Sequence, residues 1–158
     1  MTVIKIKSPD SRNIVIEKED KEIGSIKFDG FFRNDITITA SDNSQYDFVR
    51  RRFWSFNFEL RQGNEVFLST KFMLLGKTII ENAKNGTRYY LKLKSILKDK
   101  YELNDENGEK LLSFSIKRGF LIEIKEGIFE TTDRFDLNKE HFLVCCAALL
   151  AIKQRAQN

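Results

Sequence analysis

Apolar and polar residues alternate with a period of two along most of the chain, the pattern of strands with one buried face. In residues 12–18, Ile14 and Ile16 share a face; in 22–28, Gly24, Ile26 and Phe28 do; in 35–40, Ile36 and Ile38 stand opposite Thr37 and Thr39. Residues 53–61 set Trp54, Phe56, Phe58 and Leu60 against Ser55, Asn57, Glu59 and Arg61. Residues 111–117 set Leu112, Phe114 and Ile116 against Ser113, Ser115 and Lys117, and the opening MTVIKIKSPD reads as a further strand. Hairpin punctuation lies between these runs. Asn85-Gly86 and Asn107-Gly108 suit type I′ turns, in which both central residues take positive φ. Asp29-Gly30, Asp42-Asn43, Gly63-Asn64, Arg118-Gly119 and Glu126-Gly127 mark further reversals. The spacing predicts about a dozen strands, as in an all-β sandwich or barrel.

After Asp136-Leu137-Asn138 the alternation stops. Asn138 can cap a helix through its side-chain oxygen. Glu140 in the first turn and Lys153 and Arg155 in the last complement a helix dipole, so a helix is expected over about 139–154. Its middle, FLVCCAALLAI, is eleven consecutive apolar residues. As a helix that run rises about 16 Å, too short for a hydrocarbon core of about 30 Å. It has no polar face, so it suits neither a lipid surface nor one side of an open sheet. Cys145 and Cys146 point about 100° apart on a helix, which is poor geometry for one metal and ordinary for packing. What remains is a helix surrounded by protein. A closed barrel with the helix as its filling satisfies this and leaves no exposed strand edge. The expected fold is mainly β: one domain over 1–158, a roughly twelve-stranded closed antiparallel barrel around a buried C-terminal helix. A lipocalin-like cup would need an amphipathic outer helix, and a PH-like domain has about seven strands and a helix with a single apolar face.

Many strands followed by FETTDRFDLNKEHFLVCCAALLAIKQ resemble the tubby C-terminal-like superfamily, which includes tubby domains, phospholipid scramblases and LURP-one-related proteins. The resemblance spans nearly the whole chain as architecture and residues 129–153 as sequence. It implies an approximately twelve-stranded barrel around a hydrophobic C-terminal helix. For function it implies phosphoinositide binding on basic side chains, as in tubby domains, or membrane association, as in scramblases. No tubby lipid-binding position aligns residue by residue with this chain. The scramblases' cysteine cluster and proline-rich head have no counterpart in it.

Composition narrows the classes. The 158 residues are 41% hydrophobic and 32% charged, with 14 Phe and one Pro, which excludes a disordered chain. A net charge of +4 and a pI near 9.0 bias the surface toward anionic partners. There is no basic arm of the kind that points to nucleic acid. Lysines spread over a surface also serve solubility. The N-terminal residues lack a signal-length apolar core and there are two cysteines, so the expected location is cytoplasmic, with peripheral membrane association compatible. Asn85-Gly86-Thr87 matches a glycosylation sequon and is read as a turn.

Two basic sets are candidates. Arg50, Arg51 and Arg52 precede Phe53 and Trp54, and guanidinium forks match phosphate oxygens. The other reading is a solvated turn entering an aromatic strand. Arg88, Lys92 and Lys94 share a strand face around Tyr90, with Lys98 and Lys100 following. They suit an anionic lipid surface, or serve as outer-face lysines that block edge pairing. LGKT at 75–78 ends like a phosphate-binding loop, but Lys71 stands where the earlier glycine belongs. Asp133, Asp136 and Glu140 lack the spacing of a calcium loop and fit a helix start. No nucleophile–base arrangement emerges, so neither catalysis, nor a cofactor, nor a metal is expected. The functional expectation is a non-catalytic barrel binding an anionic partner, a phosphoinositide or other phosphorylated lipid. The alternative is a protein-interaction or structural domain without a small-molecule ligand.

Overall fold

The computed structural model describes residues 2–29, 35–50, 57–73, 77–119 and 124–157. Within them the strands are β1 (Thr2–Asp10), β2 (Asn13–Lys18), β3 (Lys21–Asp29), β4 (Asp35–Ala40), β5 (Gln45–Arg50), β6 (Phe58–Gln62), β7 (Glu65–Phe72), β8 (Lys77–Asn82), β9 (Arg88–Ser95), β10 (Lys100–Asn104), β11 (Lys110–Arg118) and β12 (Ile124–Thr131), and a helix α1 (Lys139–Gln157) follows. Each strand pairs antiparallel with its sequence neighbours, and β1 closes on β12 from Thr2↔Thr131 to Lys7↔Glu126. The expected closed twelve-strand barrel is what forms.

Register carries the alternation into the core. Gly24↔Ala40, Ile26↔Ile38 and Phe28↔Ile36 stand inward across β3 and β4, while Ser25↔Thr39 and Lys27↔Thr37 face out. Phe114↔Phe129 across β11 and β12 meet edge-on, with ring centroids 4.3 Å apart. The outward positions are mostly polar, with Val3, Val49 and Ile128 as exposed apolar exceptions, unlike the continuous apolar outer band of a membrane-spanning barrel.

Two turn expectations need correction. Asn85-Gly86 and Asn107-Gly108 are not type I′ pairs: φ is positive at Gly86 (75°) and Gly108 (81°) but not at either Asn. The loop is longer than two residues, because Asn82 caps it by accepting the amides of Lys84 (2.8 Å) and Asn85 (3.2 Å), and Asp105 does the same for Asn107 and Glu109 (both 2.9 Å). A two-residue turn with positive φ at both central residues is found instead at Glu19-Asp20, with φ of 52° and 62° between the paired Lys18 and Lys21. Glu126-Gly127 is no reversal either, since it lies inside β12. There a Cβ on Gly127 would lie 2.6 Å from Ile6 Cδ1, so the glycine answers crowding rather than turning.

The helix begins as the sequence implies. Asn138 Oδ1 accepts the His141 amide at 2.9 Å, and the Asn138 carbonyl accepts the Phe142 amide at 2.9 Å. It runs on to Gln157 rather than stopping near 154. Every residue from 142 to 152 is buried, so the lumen is filled along the helix. Gly24 makes room for this: a Cβ there would collide with the Phe142 ring and lie 2.7 Å from the Thr39 carbonyl oxygen. Lys139 pairs with Asp42 (3.1 Å) at one end of the barrel, and Lys153 lies 4.4 Å over the Phe28 ring toward the other. Cys145 and Cys146 are unbonded and buried, and desolvation pushes both thiols up from their ordinary range. Among the described residues, no helix is long and apolar enough to cross a membrane.

Two outcomes follow from this packing. Thiol reagents should label the native protein only as fast as the barrel opens and both cysteines promptly in denaturant; rapid native labelling would contradict a helix held in the lumen. Gly24→Ala should lower unfolding stability by about 1–3 kcal/mol in a denaturant titration, and a second change, Phe142→Leu, should recover part of that loss.

Candidate functional site

With α1 in the lumen, the side chains open to a partner lie on the outer wall or at the barrel ends. On β9, Arg88, Tyr90, Lys92 and Lys94 point outward, alternating with the buried Tyr89 and Leu91. The expected basic row is therefore present on one face. Its neighbours qualify it. β8 sets Glu81 opposite Arg88, Ile79 opposite Tyr90 and Lys77 opposite Lys92, and β10 sets Glu102 on the other side of Lys92. Arg88 Nε donates to Glu81 Oε2 at 2.7 Å, and bonding to Glu81 and then to Tyr90 holds the Arg88 proton more firmly than usual. Arg88 is thus largely compensated. Among the described residues Lys92 and Lys94 form no ion pair. Facing lysines such as Lys77 and Lys92 repel across a ladder, so this pairing is not one that strand stability selects.

Arg50 ends β5, with its guanidinium 5.6 Å over the Phe58 ring. Arg51, Arg52, Phe53 and Trp54 lie outside the described residues. Arg50 does not join the β9 row: β6, β7 and β8 intervene, a separation of about 19 Å at ordinary strand spacing. Between them an outer groove of about 440 Å³ is lined by Asn57, Glu59, Ser69, Lys71, Ile79 and Arg88 among others. Glu59 faces outward by parity yet is only 8% exposed, and it accepts from Arg61 Nε at 2.7 Å. With Glu59 and Glu81 beside Lys71 and Arg88, the groove is mixed in sign.

The β9–β10 turn is where the basic row continues. Ser95 Oγ accepts the Lys98 amide (3.2 Å), and the Asp99 amide donates to the Ile96 carbonyl (3.3 Å). Asp99 takes the positive φ of 49°, and its carbonyl accepts the Ile116 amide at 3.1 Å. Arg118 grips the Asp99 carboxylate through Nε (2.5 Å) and a terminal nitrogen (3.2 Å), and that nitrogen also reaches the Tyr101 hydroxyl at 3.3 Å. The braced turn holds Ile96 81% exposed and Leu97 99% exposed, between Lys94 and Lys98. The sequence reading included Lys98 and Lys100 but assigned nothing to Ile96 and Leu97. The available signal was an apolar pair, SIL, at a point where the chain has to reverse.

At the helix start the polar groups are occupied by the fold. The Glu140 carboxylate accepts from Asn82 Nδ2 (2.8 Å) and from the Tyr89 hydroxyl (3.0 Å). Asp136 accepts the Asn138 amide at 3.0 Å, which fits a helix entry rather than a calcium loop. His141 is tied to the helix entry: its ring stacks on Phe135 with centroids 4.1 Å apart, and its Nδ1 accepts the Asp136 amide at 3.1 Å. Asp42 is held at about 2 by the Ser44 hydroxyl and amide and by Lys139. Lys77 and Thr78 open a strand, not a helix, so the LGKT ending has no phosphate-loop context. The chain matches no protein-family model, no curated protein and no solved structure.

Burial first, and then the bond to Glu140, raises the Tyr89 pKa above its ordinary 10.0. A raised folded-state value gives stability that is complete below the unfolded pKa and lost as pH climbs. Thermal midpoints should therefore fall above pH 10.0, and Tyr89→Phe should flatten that fall. An unchanged alkaline slope in the variant would show that Tyr89 does not couple to folding.

Proposed function

We propose that this protein is a non-catalytic barrel of the tubby C-terminal-like kind whose outer wall binds an anionic partner, with phosphorylated lipid as the class. The observation that carries the reading is the outward row on β9, where among the described residues Lys92 and Lys94 form no ion pair and Lys77 stands opposite Lys92. Support for the family comes from the architecture: twelve antiparallel strands closed around one apolar C-terminal helix. Support for a binding rather than catalytic role comes from the lumen, where the buried residues 142–152 of α1 take the space that small-molecule chemistry favours. The reading puts the protein at the cytoplasmic leaflet, where anionic lipids give each nearby lysine about 1 kcal/mol of attraction. A protein partner is the second reading, favoured by the mixed-sign groove over β6 to β9.

Vesicle flotation tests the first reading. Wild type should float with vesicles containing phosphatidylserine or phosphoinositide at low salt, stay behind with phosphatidylcholine alone, and release as salt rises. Lys92→Glu with Lys94→Glu should weaken binding by at least about tenfold. No flotation at low salt, or equal flotation by the charge-reversed variant, overturns the assignment.

A further inference from the structure

We propose that the β9–β10 turn is a membrane-docking element in which Ile96 and Leu97 enter the interfacial layer of an anionic bilayer while Lys94, Lys98 and Lys100 hold its phosphate-bearing headgroups. This rests on the lipid reading above and specifies how the surface engages.

Exposure is the first argument. Val3, Val49, Met73, Leu93 and Ile128 are exposed to a much lesser degree, between 37% and 45%, as single surface apolar residues commonly are. Ile96 and Leu97 are adjacent and stand almost wholly in water. The backbone does not need them there. Turn tips favour Gly, Asn, Asp and Ser, whose side chains relieve or satisfy the bend. Five other turns follow that preference, at Glu19-Asp20, Asp42-Asn43, Gly63-Asn64, Asn85-Gly86 and Asn107-Gly108. In the β9–β10 turn Asp99 carries the strained φ, so Ile96 and Leu97 have no conformational role.

Rigidity is the second. The Ser95, Asp99 and Arg118 bonds hold the tip outward, so the apolar pair needs no ordering when it leaves water. The Arg118 fork also compensates Asp99, the one carboxylate within the KLKSILKDK segment, and leaves its lysines as net positive charge. Apolar insertion combined with a polybasic flank is the two-signal arrangement that gives stable peripheral binding.

The occupant follows from shape. A two-residue convex tip offers far less area than the roughly 1,200 Å² of a specific protein interface and presents no groove. A fluid bilayer needs no matching surface. The meander also fixes an orientation. The β9–β10 turn leaves one end of the barrel, and Asn138 starts α1 at the opposite end. The turns of that opposite end are polar, so docking through Leu97 points them away from the membrane.

The test uses the full chain. Leu97→Cys can be labelled selectively with a nitrobenzoxadiazole dye, because Cys145 and Cys146 are buried. With phosphatidylserine-containing vesicles the emission should shift to the blue and be quenched by nitroxide carried on the acyl chains, and with phosphatidylcholine alone it should not move. Ile96→Ser with Leu97→Ser should cut flotation by at least about tenfold while the thermal midpoint stays unchanged, since neither side chain packs in the fold. Wild-type flotation matched by the double serine variant, with an unshifted dye, overturns insertion and leaves the lysine-row reading standing. Absence of flotation in both overturns the two together.

Discussion

A helix that is apolar on every side cannot rest half covered, and this requirement organises the whole barrel. A sheet on one side would leave Leu or Ile in water on the other, at about 1.5–3 kcal/mol for each large side chain. Only a wall that closes meets the need, and closure joins β1 to β12 across nearly the full length of the chain. Barrel width follows strand number: eight strands leave space for side chains or one small ligand, and the twelve here enclose a helix. The fit is then adjusted locally. Ala147, Ala148 and Ala151 thin the helix, and Gly24 hollows the wall opposite Phe142.

The same requirement decides what a sequence could reveal. The alternation, the Asn138 cap and the missing polar face of residues 142–152 are local signals, and from them the barrel and its filling could be read. Crowding is not local. Gly127 looks like Gly86 in a string of letters, but one answers Ile6 and Ile116 across two ladders and the other a left-handed backbone. Asn85-Gly86 likewise hid its loop length, because the residue that caps the loop is Asn82, outside the dipeptide. Glu59 is outward by parity yet nearly buried, which depends on neighbours that strand alternation does not show.

The candidate site divides along the same line. Arg88, Lys92 and Lys94 share a face because strand parity alone puts them there. Whether Arg50 lies beside them depends on strand order, and three strands stand between. Ile96 and Leu97 were the least legible residues of all. Apolar residues in an alternating chain are assigned to the core by default, and only the geometry of the β9–β10 reversal removes these two from it.

Filling the lumen also separates stability from recognition. The helix start is fastened by Lys139 to Asp42, Glu140 to Asn82 and Tyr89, and His141 to Phe135, groups that face one another rather than a ligand. Strand β9 shows the opposite economy. Lys92 faces Lys77 on β8, a like-charge pairing, and the turn that follows β9 carries an apolar tip from which the core gains nothing. Residues that break a local rule without a compensating contact are expected where function lies. Here the two departures are independent, one electrostatic across β8 and β9 and one apolar at the β9–β10 turn, and they share strand β9, whose turn the Arg118–Asp99 bond anchors to the wall. The partner proposed above answers both, because an anionic bilayer carries negative charge above an apolar layer.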